Sequence, residues 1–375
     1  MDIDNYRSLF PITERYIFLN HAAVSPASMR VADTVKEFYL ECAVQASKGY
    51  YRWMERVEKT RKGIAVLINA EPDEIAFVGN TSEGISTIAN GLKWKPKEAV
   101  LVPVSDFPAN VYPWMHLERL GVNVHFIKKH NRRFGLKEIK EALVPGTRMI
   151  AVSSVDYASG FRTDLKELGA FCREKGILYC VDAIQSLGVI PMDVKECGIH
   201  FLASGGHKWL MGPMGIGVVF VDRQVNEMIT PSRIGWKSVV DEEDFRIDFT
   251  LKEDALRFEP GTMNFAGIHG LGSAIELLEE VGLTRINKKV TEVNDLFIER
   301  LKERNLQIAS PLNDNERSGI LTFKPKKDPK KCFEFLINRK IMASLRQNRI
   351  RIAPHFYNNY DDVTEFFRAL DEFSR

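Results

Sequence analysis

Between about residues 60 and 225 the sequence alternates short apolar runs, rich in β-branched residues, with longer amphipathic segments. Several of the apolar runs have no polar face, which is typical of strands in a parallel sheet that helices cover on both sides. The alternation predicts an α/β fold whose ligands bind at the carboxyl ends of the strands. The predicted strands are 75–79, 99–104, 122–127, 149–155, 177–182, 201–204 and 217–221, and the predicted helices between them are 82–92, 109–120, 136–143 and 165–175.

The two ends of the chain follow other patterns. Residues 34–67 are predicted to form one or two long helices, and after about residue 270 helices alternate with short strands. We therefore expect a large domain over 16–270, a smaller α+β domain over 271–375, and an N-terminal arm (1–15) that joins the small domain.

Composition argues against several classes of protein. The 375 residues carry a formal net charge of +2, which gives no field for binding nucleic acid or a membrane surface. No apolar run reaches the length of a membrane span, and residues 1–10 lack the pattern of a signal peptide. The five cysteines show no spacing typical of a disulfide framework or a zinc site. We expect a cytoplasmic protein that uses no metal and binds neither nucleic acid nor membranes.

Lys208 gives the strongest chemical signal. It lies in the motif SGGHKW (204–209), directly after a predicted strand and before a glycine-rich turn. A lysine at a strand end can be held as an amine that condenses with an aldehyde, because burial and neighbouring groups lower its pKa. Most lysines are solvated surface residues, so the motif alone leaves that alternative open.

Asp182 strengthens the first interpretation of Lys208. It follows the apolar run GILYCV (176–181), so the sequence predicts an aspartate at the end of a buried strand. An aspartate beside an amine-forming lysine suits pyridoxal phosphate, whose pyridinium nitrogen needs an anionic partner to act as an electron sink.

A phosphate site is predicted where the strand 75–79 ends and the next helix begins. Thr81 and Ser82 lie there, and backbone N–H groups at a helix N-terminus together with two hydroxyls can bind phosphate. Simple capping of the helix by Asn80 or Thr81 explains the same residues. The glycines of 212–217 precede a strand, so they lack the strand-to-helix context of a dinucleotide-binding fingerprint.

Three further side chains have two interpretations each. Phe107 follows the second predicted strand and can stack on a planar ring or belong to the core. Arg351 alternates with apolar residues on a short predicted strand, and it either binds a carboxylate with both nitrogens or extends to solvent. Asn20 either caps a helix or lines a site.

Taken in order, these motifs resemble the class V aminotransferase family of fold-type I pyridoxal phosphate enzymes, which includes cysteine desulfurases, cystine lyases and isopenicillin-N-epimerase-like proteins. The resemblance runs from FLNHAA (18–23) to YN (357–358) and so covers nearly the whole chain. It implies pyridoxal phosphate as cofactor, an amino acid as substrate, and a homodimer with shared active sites. The implied fold is a mostly parallel central sheet covered by helices, with a smaller α+β C-terminal domain.

The resemblance also implies a role for each site residue. Lys208 would be the catalytic residue that binds the cofactor covalently, Asp182 would pair with the ring nitrogen, and Gln185 would bond to the ring hydroxyl. The other implied contacts are Thr81, Ser82 and His207 to the phosphate, Phe107 to the ring, Arg351 and Asn20 to the substrate, and Thr262, in the loop EPGTMN (259–264), to the phosphate of the neighbouring subunit.

The chain departs from the family pattern at several positions. Phe107 stands where desulfurases usually have a histidine that can also move protons. Gly205 stands where a serine often binds phosphate, and Tyr157 where many relatives have an asparagine. No cysteine lies within 340–350, where desulfurases carry their persulfide loop, and Cys332 lies on a predicted helix.

We expect an enzyme that acts at the α-carbon of an amino acid, because transamination, elimination and epimerisation all begin with loss of the Cα proton. A single lysine suffices to move a proton between Cα and the cofactor carbon, so an aminotransferase is the preferred hypothesis. A carbon–sulfur lyase or a desulfurase-like enzyme acting on cysteine or cystine is the alternative. Less favoured are an epimerase, a non-catalytic member and, because no cysteine is suitably placed, a desulfurase that forms a persulfide on the enzyme.

Overall fold

The computed structural model describes residues 3–375, and its elements follow the predicted alternation. The α-helices of this part are α1 (Met29–Gln45), α2 (Tyr50–Ile68), α3 (Thr81–Gly91), α4 (Tyr112–Met115), α5 (Leu136–Ala142), α6 (Leu165–Lys175), α7 (Phe265–Val281), α8 (Leu283–Glu303), α9 (Pro329–Asn338) and α10 (Tyr360–Ser374). The strands are β1 (Ile17–Phe18), β2 (Ile75–Val78), β3 (Ala99–Pro103), β4 (Asn123–Ile127), β5 (Thr147–Ser153), β6 (Leu178–Asp182), β7 (Phe201–Gly205), β8 (Gly217–Val221), β9 (Gln307–Ile308), β10 (Leu321–Lys324), β11 (Ile341–Met342), β12 (Ser344–Arg346) and β13 (Arg349–Ile352).

A seven-stranded sheet forms the centre of the molecule, in the order β2-β8-β7-β6-β5-β3-β4. Strand β8 runs antiparallel to both of its neighbours, and the other pairings are parallel. Alternate residues of β2 enter two separate apolar clusters, Ile75 and Phe77 on one face and Ala76 and Val78 on the other. Burial of both faces explains why the strands lack a polar face in the sequence. The predicted fold class is confirmed.

The predicted element boundaries are close to the observed ones, with one physical exception. The segment 109–120, predicted as one helix, contains only the four-residue helix α4 between two 3-10 turns. Pro108 and Pro113 lie at the starts of these pieces, and neither has an N–H to continue an α-helical hydrogen-bond ladder. The segment 34–67 forms two helices, α1 and α2, with a 3-10 turn between them.

The C-terminal part contains a four-stranded antiparallel sheet, in the order β12-β13-β10-β9, and α8, α9 and α10 pack with it around an apolar cluster. The start of the chain is attached to this part, because β1 pairs with β11. Arg7 also donates from both terminal nitrogens to Asp362, at 2.9 Å each. These contacts fix the position of the residues that follow β1 beside the small sheet.

The predicted domain boundaries at residues 15 and 270 stay a prediction, and residues 1 and 2 of the proposed arm lie outside the described residues. Among residues 3–375, no helix has both the length and the apolar character that crossing a membrane requires.

Candidate active site

A cavity of about 390 Å³ opens at the carboxyl ends of β6 and β7, where the start of α3 and the loop after β3 also meet. Parallel strands place their carboxyl ends at the same edge of a sheet, so residues far apart in sequence converge there. Eight of the predicted site residues line the cavity, namely Thr81, Ser82, Phe107, Asp182, Gln185, His207, Lys208 and Arg351.

Lys208 lies three residues after the end of β7 and is 9% exposed. Burial lowers the pKa of Lys208, and the positive charges of Arg351 and Arg346 lower it further, while the Asp182 carboxylate acts in the opposite direction. Its Nζ atom lies 5.5 Å from the centroid of the Phe107 ring. A buried lysine with a lowered pKa keeps part of its population as the neutral amine, which is the form that reacts with an aldehyde.

Asp182 ends β6 and is 2% exposed. Its Oδ1 accepts a hydrogen bond from the N–H of Ile184 at 3.0 Å, but its Oδ2 is buried without a hydrogen-bond partner. Burial raises the pKa of the Asp182 carboxyl, and the nearby Asp106 raises it further. An acceptor left unpaired in the interior costs free energy, so the cavity wall has a vacant position for a cationic N–H donor.

Arg351 projects from β13 and is 2% exposed, so it is not the solvent-directed side chain of the alternative interpretation. Its Nε donates to Ser344 Oγ at 3.0 Å and its Nη1 to the carbonyl of Tyr157 at 2.7 Å. The third nitrogen, Nη2, is buried and has no partner. Burial and the charge of Arg346 lower the pKa of Arg351 to about 9. Among residues 3–375, no carboxylate forms an ion pair with this guanidinium, which suits a carboxylate ligand.

The start of α3 supplies hydroxyl and backbone donors to the opposite end of the cavity. Asn80 is the cap of this helix, because its Oδ1 accepts from the N–H of Glu83 at 3.0 Å. Thr81 accepts from the N–H of Gly205 at 2.9 Å, which leaves its own hydroxyl hydrogen to donate. A Cβ on Gly84 would lie 2.8 Å from the Cβ of Ala203, so a glycine is needed for α3 to approach β7 this closely.

Phe107 is positioned by a buried aspartate that the sequence reasoning did not single out. Asp106 accepts from the N–H of Phe107 at 2.8 Å and from Ser153 Oγ at 2.7 Å. The ring of Phe107 is held edge-to-face against Tyr157, with 5.3 Å between the centroids, yet 41% of Phe107 remains exposed. The core interpretation of Phe107 is therefore wrong, and its exposed surface lies at the cavity.

Gln185 forms a hydrogen bond with Trp209, the residue after Lys208. Its Oε1 accepts from the indole N–H of Trp209 at 3.0 Å, and its Nε2 donates to the carbonyl of Ala22 at 3.0 Å. One amide hydrogen remains for a ring hydroxyl. Trp209 also uses its carbonyl to accept from His355, so two buried contacts hold the backbone next to Lys208.

Two predicted site residues do not line the cavity of their own chain. Asn20 forms an isolated bridge with Ala353, and its buried Oδ1 has no hydrogen-bond partner. Thr262 is exposed, in the loop before α7. Arg346, which the sequence suggested only as a substitute for Arg351, also lines the cavity, two residues after Ser344 on the strand beside β13.

The residues of the cavity fit pyridoxal phosphate. The unpaired Oδ2 of Asp182 matches a protonated ring nitrogen, the amine of Lys208 matches the aldehyde, and the donors of Thr81 and Ser82 match a phosphate. The unpaired Nη2 of Arg351 matches the carboxylate of an amino acid. Fold and site together define a pyridoxal phosphate enzyme of fold type I.

Comparison with known proteins identifies the family within this class of enzymes. The profile of the family described as "Aminotransferase class-V" matches residues 17–346. A probable cysteine desulfurase of Pyrococcus abyssi is 30% identical, over 98% of this chain and 97% of its own. The apo structure of cysteine desulfurase from Thermococcus onnurineus NA1 superimposes with a TM-score of 0.91, at 27% identity over 98% of this chain and 97% of that one.

A more distant neighbour shows the same fold. C-DES, described as a cystine C–S lyase, has been solved with glycine covalently linked to its pyridoxal phosphate cofactor, and that structure gives a TM-score of 0.91 at 18% identity, over 97% of this chain and 99% of that one. The chain belongs to the aminotransferase class-V family of pyridoxal phosphate enzymes. The predicted cofactor is confirmed.

Proposed function

We propose that this enzyme is a pyridoxal phosphate-dependent carbon–sulfur lyase, which breaks the Cβ–S bond of a cysteine-derived amino acid. The observation that carries the proposal is the meeting of Lys208, Asp182 and Arg351 in one cavity that no cysteine lines. Similarity to cysteine desulfurases supports the choice of a sulfur-containing substrate. The aminotransferase hypothesis preferred from the sequence has less support from these relatives than its alternative, the carbon–sulfur lyase.

Arg351, Lys208 and Asp182 would have separate roles in the reaction at the α-carbon. Bound pyridoxal phosphate would supply an electron sink that stabilises negative charge on Cα. Arg351 would bind the α-carboxylate and so fix the orientation of Cα relative to Lys208. The amine of Lys208 would accept the Cα proton. Asp182 would hold the proton on the ring nitrogen.

Departure of the sulfur group then completes the elimination. The sulfur leaves with the electron pair of the Cβ–S bond, and the remaining fragment hydrolyses to pyruvate and ammonia. For cystine, one molecule of substrate and one of water give one pyruvate, one ammonia and one cysteine persulfide. No external oxidant or reductant is required.

The positions of the cysteines favour a lyase over a persulfide-forming desulfurase. Cys172, Cys180 and Cys332 are buried, and burial raises the pKa of each thiol. Cys42 and Cys197 are partly exposed, but neither lines the cavity. A desulfurase that carries sulfur on its own thiol needs a reactive thiolate close to the substrate.

Product analysis tests this proposal. The purified holoenzyme is incubated with cysteine or cystine, and pyruvate, alanine and protein-bound persulfide are measured, with Lys208→Ala as the inactive control. Pyruvate and ammonia in equal amounts, without added keto acid, are the expected products. Alanine formed together with a persulfide on the protein would identify a desulfurase, and turnover that requires a keto acid would identify an aminotransferase.

We also propose that the enzyme is a homodimer with shared active sites. Thr262 is exposed and lies outside the cavity of its own chain, where it is available to a second subunit. Large apolar side chains are also exposed in the segment 236–249, which begins beside Gly261 of this loop, including Trp236 (44%), Phe245 (81%) and Phe249 (71%). Such surfaces are typical of subunit interfaces.

A further inference from the structure

Arg346 and Arg351 lie on neighbouring strands of the small sheet. In the antiparallel pairing of β12 with β13, Ser344 is opposite Arg351 and Arg346 is opposite Arg349. Residues two apart on a strand share a face, so Arg346 and Ser344 are on the same side as Arg351. Both Arg346 and Arg351 line the cavity, whereas Arg349 does not.

The guanidinium of Arg346 lacks an anionic partner. It is partly buried, and its Nη1 donates to the carbonyl of the adjacent Leu345 at 2.9 Å. Within residues 3–375, no ion pair with a carboxylate involves Arg346. A guanidinium in a cavity wall that forms no charged pair is suited to binding an anionic ligand.

Cationic side chains outnumber carboxylates in the lining of the cavity. Lys208, Arg346 and Arg351 are the lysine and arginines of the lining, and Asp182 is the one carboxylate among the described lining residues. The phosphate of the cofactor would bind at Thr81 and the helix start, and the substrate's α-carboxylate would pair with Arg351. The charge of Arg346 lowers the pKa of Arg351 and of Lys208, so it acts on the interior of the cavity.

We propose that Arg346 binds a second anionic group of the substrate, located on the side chain beyond Cβ. The inference rests on the proposed carbon–sulfur lyase function and specifies its substrate class. The substrate would be an amino acid whose sulfur leaving group carries a carboxylate or a sulfonate, as in cystine or S-sulfocysteine.

Leaving-group chemistry supports the same substrate class. The side chain of Phe107 has no proton to donate to a departing sulfur, and this ring faces the cavity. Sulfur that leaves unprotonated does so more readily when an attached sulfur or sulfonate spreads the negative charge. Cystine and S-sulfocysteine meet both conditions, since each has such a leaving group and an anion for Arg346.

Ligand binding to the holoenzyme tests the site without turnover. Succinate carries two carboxylates and propionate one, and neither has an amino group to react. In calorimetric titrations, the dissociation constant for succinate should rise about ten- to hundredfold more than that for propionate when Arg346 is replaced by glutamine, as expected for loss of a charged hydrogen bond. Arg349→Gln is the matched control, and it should bind both ligands as the parent does.

Two results would overturn the proposal. Equal weakening of succinate and propionate, or no weakening, would show that Arg346 does not recognise a second anion. Weaker binding of pyridoxal phosphate itself by Arg346→Gln would assign Arg346 to the cofactor phosphate instead.

Kinetics distinguish failure of this site from failure of the proposed function. For Arg346→Gln, kcat/KM should fall about ten- to hundredfold more with S-sulfocysteine than with the neutral S-methylcysteine. Equal effects on both substrates would contradict the second anion site. If neither compound yields pyruvate with the parent enzyme but the succinate titration behaves as expected, the anion site stands and the lyase function is wrong.

Discussion

At the scale of single residues, the cavity contains polar atoms that have no hydrogen-bond partner in the described part of the chain. The Oδ2 of Asp182 and the Nη2 of Arg351 are both buried and both lack a hydrogen bond. Buried polar atoms are nearly always paired in folded proteins, so two unpaired atoms beside one amine indicate ligand groups of defined charge. A cation is expected at Asp182 and an anion at Arg351.

Replacement of Lys208 by alanine should abolish covalent attachment of the cofactor. Reduction with borohydride fixes an amine-bound cofactor to the protein, and mass spectrometry then identifies the labelled peptide. We expect the label on the peptide containing residue 208 in the parent and in Lys166→Ala, an exposed-lysine control, and none in Lys208→Ala. A labelled peptide in Lys208→Ala would mean that another lysine binds the cofactor.

Replacement of Arg351 by lysine should weaken substrate binding while leaving the cofactor in place. Lysine keeps the charge but cannot offer two parallel N–H donors to a carboxylate. We expect KM to rise about tenfold or more, corresponding to loss of one charged hydrogen bond, with an unchanged visible spectrum of the bound cofactor. Arg349→Lys is the control, and unchanged kinetics for Arg351→Lys would mean that another group binds the carboxylate.

At the scale of elements, a buried ion pair joins α2, β2 and the loop that carries Thr262. Glu259 accepts from Arg61 at 2.7 and 3.1 Å and from the N–H of Phe77 at 2.8 Å. The side chains of Arg61 and Glu259 are 1% and 4% exposed. One carboxylate therefore anchors the first residue of the loop 259–264 against the sheet.

Glu259→Gln should destabilise the protein by about 3 kcal/mol or more, because it leaves the Arg61 charge buried with a weakened partner. Glu58→Gln is the matched control, since Glu58 pairs with the same arginine but its side chain is 42% exposed. The control should cost less than about 1 kcal/mol. Denaturant unfolding of both variants measures the difference, and equal costs would contradict the anchoring role.

Prediction from the sequence succeeded where periodicity and strand order carry the information. Strands buried on both faces have a distinctive composition, and this placed Asp182 and Lys208 at the same edge of the sheet. The pairing of β1 with β11 could not be predicted, because two-residue strands joined across more than 300 positions leave no periodic signal. The place of Arg346 beside Arg351 could not be predicted for a similar reason, since it depends on the pairing of β12 with β13. The partner of Gln185, Trp209, also follows only from the tertiary structure.

At the scale of the whole molecule, shared active sites make a prediction about mixtures of variants. Lys208→Ala should be inactive, and Thr262→Ala should bind the cofactor more weakly, by about ten- to hundredfold for one lost hydrogen bond to a charged group. In a mixed dimer, one site combines an intact Lys208 with an intact Thr262 of the partner subunit. Activity regained after subunit exchange, with light scattering showing a dimer, is the expected result. A fully active monomer would refute shared sites.

Stability should fall in mild acid because of a buried histidine near the site. His355 Nδ1 accepts from the N–H of Phe356 at 2.9 Å, so Nε2 carries the proton and donates to the carbonyl of Trp209. Burial lowers the pKa of His355 to about 4 from its ordinary 6.5. The unfolded chain therefore binds a proton below pH 6.5 that the folded protein does not accept until about pH 4.

The contribution of His355 to the free energy of unfolding is fully present above pH 6.5 and is lost progressively as the pH falls towards 4. This contribution amounts to about 3 kcal/mol, because each unit of pKa difference between the folded and unfolded states corresponds to about 1.36 kcal/mol. The free energy of unfolding, measured against pH, should decline less steeply over this range in His355→Gln than in the parent. His116→Gln, at an exposed position, is the control and should keep the parental slope.

The short segment after β1 connects the two sides of the cavity. At one end the N–H of His21 donates to the carbonyl of Ala353, next to the strand that carries Arg351. At the other end Ser25 donates from its N–H to the carbonyl of His207 and from its hydroxyl to that of Lys208. A displacement of the small sheet relative to β7 would therefore be transmitted through residues 21–25 to the backbone of Lys208, so the positions of Arg351 and Lys208 are mechanically coupled.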